Sequence, residues 1–214
     1  TCSAADLGRL KKRVESFVLK KLKDQSFDPK TVRCEPHVFR MILGDFDLTK
    51  MTGEPTGAPY QGIVFGFLRA DNPHLQVEIG KVRVGAKRLQ RVGDIDCWEG
   101  ERLAISAEVK QFRVGKNDVR KFKGFSNEVK RRGAIGMVVA LSFGDGTREA
   151  IRALGVEPLD RADLLRIVGL WDPLKQRTGV ASLVYYIRHI EKSSVLGDRL
   201  AGFLAKAEAP RKTV

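Results

Sequence analysis

The sequence predicts an α/β fold in which helices cover a central β-sheet. Apolar residues recur at every third or fourth position, then at alternate positions, and then at helical spacing again. Residues 134–142 (AIGMVVALS) are almost wholly apolar, as expected of a strand covered on both faces. The chain is 43% hydrophobic, which is sufficient for a core and excludes a wholly disordered basic chain. Its longest apolar runs have the length of strands, well short of the about 20 residues of a membrane span, so a transmembrane protein is excluded.

The elements are predicted in order along the chain. Helices are expected at 7–22, 38–43 and 60–69, and strands at 75–84, 93–98 and 102–111. A turn at 99–101 joins the last two strands in a hairpin, because it contains glycine between two strand-like runs. A helix at 117–132 and the apolar strand follow, and the remainder is predicted to be helical at 147–154, 161–168, 173–190 and 195–207. The turn-rich segment 49–59 suggests a boundary, which gives an N-terminal helical region (1–55), a core (56–145) and a C-terminal helical region packed on the core (146–214).

Positive charge is concentrated in one part of the chain. The net charge is +13, and residues 80–132 hold 15 Lys and Arg against 7 Asp and Glu. This distribution favours a polyanionic partner, of which nucleic acid is the commonest. The alternative is a surface that is simply rich in lysine.

Cysteine and histidine are sparse. The three cysteines, Cys2, Cys34 and Cys97, form no CxxC pair and no paired framework, which is typical of a reducing compartment and predicts a cytoplasmic protein. The three histidines are widely separated and lack the spacing of zinc ligands.

Four ionisable residues on the predicted hairpin form a candidate site. Glu108 and Lys110 are two residues apart on one strand and therefore project from the same face, and Asp94 and Asp96 share a face of the neighbouring strand. Carboxylates that lie a few ångströms apart repel each other, which favours either a bound divalent cation or a raised pKa. Oxygen ligands in a partly open site suit Mg²⁺. Two acids, one metal ion and one lysine are sufficient for phosphodiester hydrolysis.

The spacing acid-x-Lys has little meaning without its context. It occurs three times, at Asp28-Pro29-Lys30, at Glu108-Val109-Lys110 and at Glu128-Val129-Lys130. The first lies at a proline turn, and the third lies in a predicted helix, where its two charged residues point about 200° apart. Only the second lies on a strand beside another strand that carries acids. Its alternative interpretation is an exposed surface ion pair worth at most ~1 kcal/mol.

With this hairpin, residues 60–142 resemble the PD-(D/E)XK nuclease superfamily. The matching residues are Asp96 for the first acid, with Asp94 as its rival, and Glu108 and Lys110 for the second half of the motif. We favour Asp96 because apolar residues continue the strand after it, although Ile95 stands where the motif has proline. The resemblance implies a central mixed β-sheet flanked by helices. The length and the extra helices at both ends look most like a type II restriction endonuclease.

The resemblance implies a Mg²⁺-dependent endodeoxyribonuclease of a restriction–modification system, a homodimer that hydrolyses phosphodiester bonds in double-stranded DNA. Asp96 and Glu108 are expected to hold Mg²⁺, Asp94 to support or replace Asp96, and Lys110 to position the attacking water. Two alternatives stay open. One is a structure-specific repair or recombination nuclease, and the other is a non-catalytic DNA-binding module with a nuclease-like core.

Further residues are candidates for DNA contacts or for support of the site. Lys116, Arg120 and Lys123 fall on one face of the helix that follows the site, where they could bind phosphates. The other candidates for DNA contacts are Arg113, Asn117, Arg88 and Arg91. Gln61 on the preceding helix and Glu78 on the first strand are possible auxiliary residues. For all of them the alternative is an ordinary solvated polar residue.

Overall fold

A computed structural model describes residues 4–24, 37–82 and 91–207 of the chain, with side chains of the first segment at 6–17. By its internal contacts the chain divides into two compact units, residues 1–35 and 36–214. In the first unit, helix α1 (Ala4–Asp24) extends the predicted helix by a few residues at each end. Its apolar stripe, Leu7, Leu10, Val14 and Phe17, is exposed.

The second unit is α/β, with a five-stranded mixed sheet flanked by helices, as predicted. Its strands are β1 (Gln76–Ile79), β2 (Ile95–Glu99), β3 (Arg102–Val114), β4 (Ile135–Phe143) and β5 (Glu157–Asp160). They lie in the order β1-β2-β3-β4-β5. β2 is antiparallel to both of its neighbours, β1 and β3. β4 is parallel to β3, and β5 is parallel to β4.

Two strands differ from the prediction. β1 ends at Ile79, before Gly80, although the alternating pattern extends to Val84, which lies outside the described residues. β5 lies between the helices predicted at 147–154 and 161–168, where the sequence analysis assigns no element; it has only four residues and contains Pro158. Proline cannot donate a hydrogen bond to a ladder, and it is tolerated here because β5 lies at the edge of the sheet.

Helices cover both faces of the sheet. They are α2 (Val38–Asp45), α3 (Ala58–Asp71), α4 (Lys116–Val119), α5 (Lys123–Arg132), α6 (Thr147–Ala153), α7 (Arg161–Val168), α8 (Pro173–Tyr185) and α9 (Ser194–Ala207). A 3₁₀ turn at Arg120–Phe122 joins α4 to α5, so the helix predicted at 117–132 is one helical segment with a tighter turn inside it. A π-helical turn at Tyr186–Glu191 follows α8 and interrupts the helix predicted at 173–190.

The two faces of the sheet have separate cores. The larger core joins odd-numbered strand residues, including Ile95, Ala107 and Val139, to α2, α3, α7 and α8. The smaller core joins Val138 and Ala140 to helices α5 and α6. Odd-numbered and even-numbered strand residues therefore face different cores, as the alternation of side chains along a strand predicts.

Helices α3 and α8 pack closely where two glycines face each other. A Cβ atom at Gly66 would lie 2.6 Å from the carbonyl oxygen of Gly179, so a larger side chain cannot stand at this crossing. This crossing brings Tyr185 and Tyr186, at the end of α8, towards the sheet side of α3, where Phe65 contacts Tyr186 with ring centroids 6.2 Å apart.

The predicted boundary near residue 55 is not where the contacts divide the chain. Residues 36–55 belong to the same unit as the sheet, because Phe39 and Leu43 of α2 are buried in its larger core. Arg199 of α9 binds both carboxylate oxygens of Glu54 at 2.6 Å, which ties the C-terminal helices to this segment as well. No helix within 4–24, 37–82 and 91–207 is long and apolar enough to cross a membrane.

Candidate functional site

Two carboxylates and one ammonium group meet at one end of the β2–β3 hairpin. The Nζ atom of Lys110 lies 2.6 Å from Oε2 of Glu108 and 3.4 Å from Oδ2 of Asp94. The three side chains are 24%, 20% and 13% exposed for Lys110, Glu108 and Asp94, so the cluster is sheltered but open to solvent. We call these three residues the acid–lysine cluster.

The register of the hairpin brings the cluster together. Ile95 pairs with Ala107, and the backbone N–H of Asp94 donates to the Ala107 carbonyl at 2.9 Å, which extends the antiparallel ladder by one residue. Asp94 therefore lies beside Glu108. The backbone N–H of Val109 donates to Oδ2 of Asp94 at 2.9 Å and fixes that carboxylate against β3. Strand alternation then puts Lys110 on the same face as Glu108.

Asp96 has a different place from the one predicted. It is fully buried, and its carboxylate accepts hydrogen bonds from the backbone N–H groups of Val92 (2.9 Å) and Gly93 (3.1 Å) and from Oγ of Ser106 (2.6 Å). Three donors therefore hold it within the protein. Of the two rival first acids, Asp94 is the one in contact with Lys110, and the role of either acid stays a prediction.

The physical reason lies in the position of each acid along β2. Asp96 pairs with Glu78 on one side and Ser106 on the other, so it is enclosed by two strands. Asp94 precedes the strand and stands at its open end. Apolar residues after Asp96 correctly identify the strand, but they do not reveal that Asp96 is enclosed there while Asp94 lies beside Lys110.

The sequence analysis did not identify Gly93 and Ser106 as residues that support the candidate site. A Cβ atom at Gly93 would lie 2.6 Å from Oγ of Ser106 and 2.7 Å from the Ala107 carbonyl oxygen, so the turn that presents Asp94 requires glycine. The available signals were the dipeptide Gly93-Asp94 and the alternation that puts Ser106 on the face of Glu108. Together with Asp96 they form the support beneath the acid–lysine cluster.

The electrostatics of the cluster keep Lys110 charged. Burial lowers the pKa of its ammonium group, but the carboxylates of Glu108 and Asp94 raise it by more, so the pKa lies above its usual value. Lys110 is therefore a cation and a hydrogen-bond donor at neutral pH.

The donor set fits a hard divalent cation. Within the described segments, no three His, Cys, Asp or Glu side chains converge as a ready-made metal site. The acid–lysine cluster instead offers two carboxylates that already approach one cationic atom. Mg²⁺ is commonly bound by one or two carboxylates while it keeps several waters, so two carboxylates are sufficient for it.

The π-helical turn lies near the cluster. The hydroxyl of Tyr186 donates to Oε2 of Glu191 at 2.9 Å, and the same oxygen accepts from the backbone N–H of Val82 at 3.0 Å. Burial, Glu191 and the charge of Asp94 raise the pKa of Tyr186, so its phenol stays protonated. This turn therefore anchors the chain where it leaves β1.

The two predicted auxiliary residues hold neighbouring structure. Nε2 of Gln61 donates to the Gly80 carbonyl at 3.0 Å, which supports the end of β1. Oε1 of Glu78 accepts from Nε2 of Gln76 at 3.3 Å. Among the contacts of the described residues, none joins Gln61 to the acid–lysine cluster, and its side-chain amide binds Gly80 instead.

The predicted DNA-binding residues lie on the surface. Arg113, Lys116, Asn117, Arg120 and Lys123 are all exposed. Among the residues that the structure describes, no carboxylate forms an ion pair with Lys116, Arg120 or Lys123, whereas Lys121 binds Asp118 at 2.8 Å. Arg91 is half-buried, and Arg88 lies outside the described residues.

The resemblance to the PD-(D/E)XK nucleases depends on one hairpin and a few side chains. No model of a known protein family matches the chain, and no curated protein matches it in sequence. The family therefore stays a prediction, and the geometry of Asp94, Glu108 and Lys110 is the ground on which a function can be proposed.

Proposed function

We propose that this protein is a Mg²⁺-dependent endonuclease that hydrolyses phosphodiester bonds in double-stranded DNA, most like the type II restriction class. The observation that carries the proposal is the convergence of the Asp94 and Glu108 carboxylates on the ammonium group of Lys110, 3.4 and 2.6 Å away. The position of this cluster on a β-hairpin, followed by a helical crossover to a parallel strand, agrees with the motif that the sequence predicts.

Each member of the cluster has a role in the proposed reaction. Asp94 and Glu108 would hold the magnesium ion through their carboxylate oxygens. When bound, the ion supplies a Lewis acid that lowers the pKa of a coordinated water and offsets charge on the scissile phosphate. Because Lys110 is an ammonium group, it orients the attacking water as a donor and stabilises developing negative charge, rather than acting as a base. The proposed products carry 5′-phosphate and 3′-hydroxyl ends.

The proposal extends to how the protein would bind DNA, assemble and be located. The exposed cations Lys116, Arg120 and Lys123 would bind phosphates without reading sequence. A homodimer is part of the proposal, because cleavage of both strands of a duplex needs two sites related by a two-fold axis. The buried free thiol of Cys97 agrees with a cytoplasmic protein.

The first prediction concerns the activity itself. The protein is expected to convert supercoiled plasmid DNA to nicked and linear forms with Mg²⁺ and to leave it intact with EDTA, as followed by gel electrophoresis. Discrete fragments would support the restriction class. Cleavage confined to branched or flapped DNA would instead support a structure-specific nuclease. A protein that binds DNA but stays inert with Mg²⁺ and Mn²⁺ on all of these substrates would contradict the proposal.

The second prediction concerns the basic row that follows β3. A variant with Lys116→Ala, Arg120→Ala and Lys123→Ala should bind duplex DNA more weakly, with a log K against log salt slope smaller by about 2–3, because each phosphate contact contributes roughly 0.9. The measurement is fluorescence anisotropy in EDTA over a range of salt concentrations.

A matched control removes three cations that already have carboxylate partners. Arg102 binds Glu99, Lys121 binds Asp118 and Arg131 binds Glu128. Replacing these three by alanine changes the net charge equally but should reduce the slope by less than one. Equal losses in both variants would mean that total charge alone, and not this row, sets the affinity.

A further inference from the structure

A groove runs along the free edge of β1. It has a volume of about 810 Å³ and is bordered by all five residues of 75–79, together with residues of α3, α8 and the π-helical turn. Its polar and aromatic lining comprises Phe65, Arg69, Gln76, Glu78, Arg91, Thr178 and Tyr185. A groove of this size lies within the range of ~300–1,000 Å³ that is typical of sites for small ligands.

Planar groups contact one another on one wall of the groove. The guanidinium carbon of Arg69 lies 5.9 Å from the ring centroid of Phe65 and 5.7 Å from that of Tyr185. The ring of Tyr185 is in turn 5.1 Å from that of His189, centroid to centroid. Arg69 is exposed and Tyr185 is 45% exposed, so both offer part of a planar surface to a ligand. We call Arg69 and Tyr185 the stacking wall.

The charges of the groove fit an anion that carries flat rings. Arg69 and Arg91 are cationic, and the guanidinium of Arg91 lies against Gly80 at the end of β1. Glu78 is the acid in the lining, and a carboxylate can accept a hydrogen bond from the exocyclic amino group of a base. Unpaired nucleotides combine such rings with phosphates, and they bind proteins by stacking on aromatic side chains and on arginine.

The groove is close to the acid–lysine cluster. Arg91 is three residues before Asp94, which limits their separation along the chain to about 11 Å. Glu78 pairs with Asp96, which supports the turn that presents Asp94. Tyr185 is followed directly by Tyr186, whose hydroxyl is influenced by the charge of Asp94. Arg91 and Glu78 therefore connect the lining of the groove to the segment that presents Asp94.

We propose that this groove binds unpaired nucleotides of a DNA substrate, with a base stacked on Tyr185 and Arg69. The inference rests on the proposed function for the identity of the polyanion, and it adds that the enzyme engages DNA whose strands are separated next to the cleavage site. An extended peptide that adds to the free edge of β1 is the competing occupant.

The test measures binding to single-stranded DNA in EDTA, so that it does not depend on cleavage. With labelled oligothymidylate, Tyr185→Ala should weaken binding about tenfold, because stacking on an aromatic ring contributes substantially for each base. Tyr185→Phe keeps the ring and should bind within about twofold of the wild type. Binding to a blunt duplex hairpin should be the same for all three proteins.

A spectroscopic signal and a second variant guard against a folding defect. The fluorescence of 2-aminopurine in the oligonucleotide should be quenched by the wild type and by Tyr185→Phe, and less by Tyr185→Ala. Arg69→Lys keeps the charge but loses the planar group, and should weaken single-strand binding alone.

Three results would overturn the inference. They are equal binding of oligothymidylate by Tyr185→Ala and the wild type, parallel losses for single-stranded and duplex DNA, and no single-strand binding by the wild type. If the wild type binds no single-stranded DNA, an extended peptide that binds the wild type but not Val77→Pro would identify the competing occupant. Because binding is measured without Mg²⁺, an inactive protein that still stacks bases would reject the proposed function and keep this inference.

Discussion

Replacing Lys110 by alanine is expected to lower the rate of DNA cleavage by about 100- to 1,000-fold, the usual cost of removing one preorganised donor from a site where charge develops. The ammonium group lies within 3.4 Å of both carboxylates, and the raised pKa keeps it charged at neutral pH. In the proposed reaction, its loss removes the group that would orient the attacking water. The measurement is a single-turnover cleavage rate at saturating Mg²⁺.

The same variant has a second expected result that does not require activity. Without the ammonium group, the Asp94 and Glu108 carboxylates lose a cation that both of them contact, so the repulsion between them is less well compensated. Added Mg²⁺ should therefore raise the melting temperature of Lys110→Ala by more than it raises that of the wild type, because binding to the folded state alone stabilises it. Equal shifts in the two proteins would show that the ion binds elsewhere.

A matched control comes from the third acid-x-Lys segment. Lys130 stands two residues after Glu128, with the same spacing as Lys110 after Glu108, but Glu128 binds Arg131 and Arg132 on its own helix. Lys130→Ala should cleave DNA like the wild type and should show the wild-type shift with Mg²⁺. A comparable loss of activity in both variants would mean that general charge, and not the cluster, explains the effect.

The hairpin that carries the cluster could be predicted because its signals are local. Alternation identified β3 and put Glu108 and Lys110 on one face, and a glycine between two short runs identified the turn. The almost wholly apolar segment at 134–142 correctly predicted a strand covered on both faces, which the structure has at Ile135–Phe143. These features depend on neighbours in sequence, so a pattern of a few residues determines them.

The choice between the two aspartates depended on contacts that no local pattern contains. Asp94 and Asp96 have the same periodicity, but the distinction comes from Ser106, ten residues later, and from the bend at Val92 and Gly93. β5 and the π-helical turn were missed for the same kind of reason. β5 forms because β4 offers its edge, and the π-helical turn contains Glu191, which binds Val82 across 109 residues.

The two aspartates should therefore respond differently to the same substitution. Asp94→Asn is expected to keep the hydrogen bond from Val109, since an amide oxygen can accept it, and to change the free energy of unfolding by less than about 1 kcal/mol. Its cleavage rate should fall by about 100-fold or more, because a ligand of the ion is lost. Its melting temperature should no longer rise with Mg²⁺.

Asp96→Asn should instead weaken the fold. Both of its oxygens accept hydrogen bonds, and an amide can accept at only one of them, so its NH₂ group would face the backbone N–H of Val92 or the donors at Gly93 and Ser106. A buried donor without an acceptor costs about 1–3 kcal/mol, which should appear in urea denaturation. The exposed Asp145 provides the control, since Asp145→Asn should change neither stability nor activity.

The Mg²⁺ responses of Asp94→Asn and Asp96→Asn together decide which carboxylate holds the ion. If Asp96 only supports the turn, Asp96→Asn should still gain stability from Mg²⁺, while its lower activity follows from a displaced Asp94. The opposite pattern, with the Mg²⁺ response lost in Asp96→Asn and kept in Asp94→Asn, would return the metal to the buried acid. Such a result would also require that acid to exchange three internal hydrogen bonds for the ion, at a cost that the partly exposed position of Asp94 avoids.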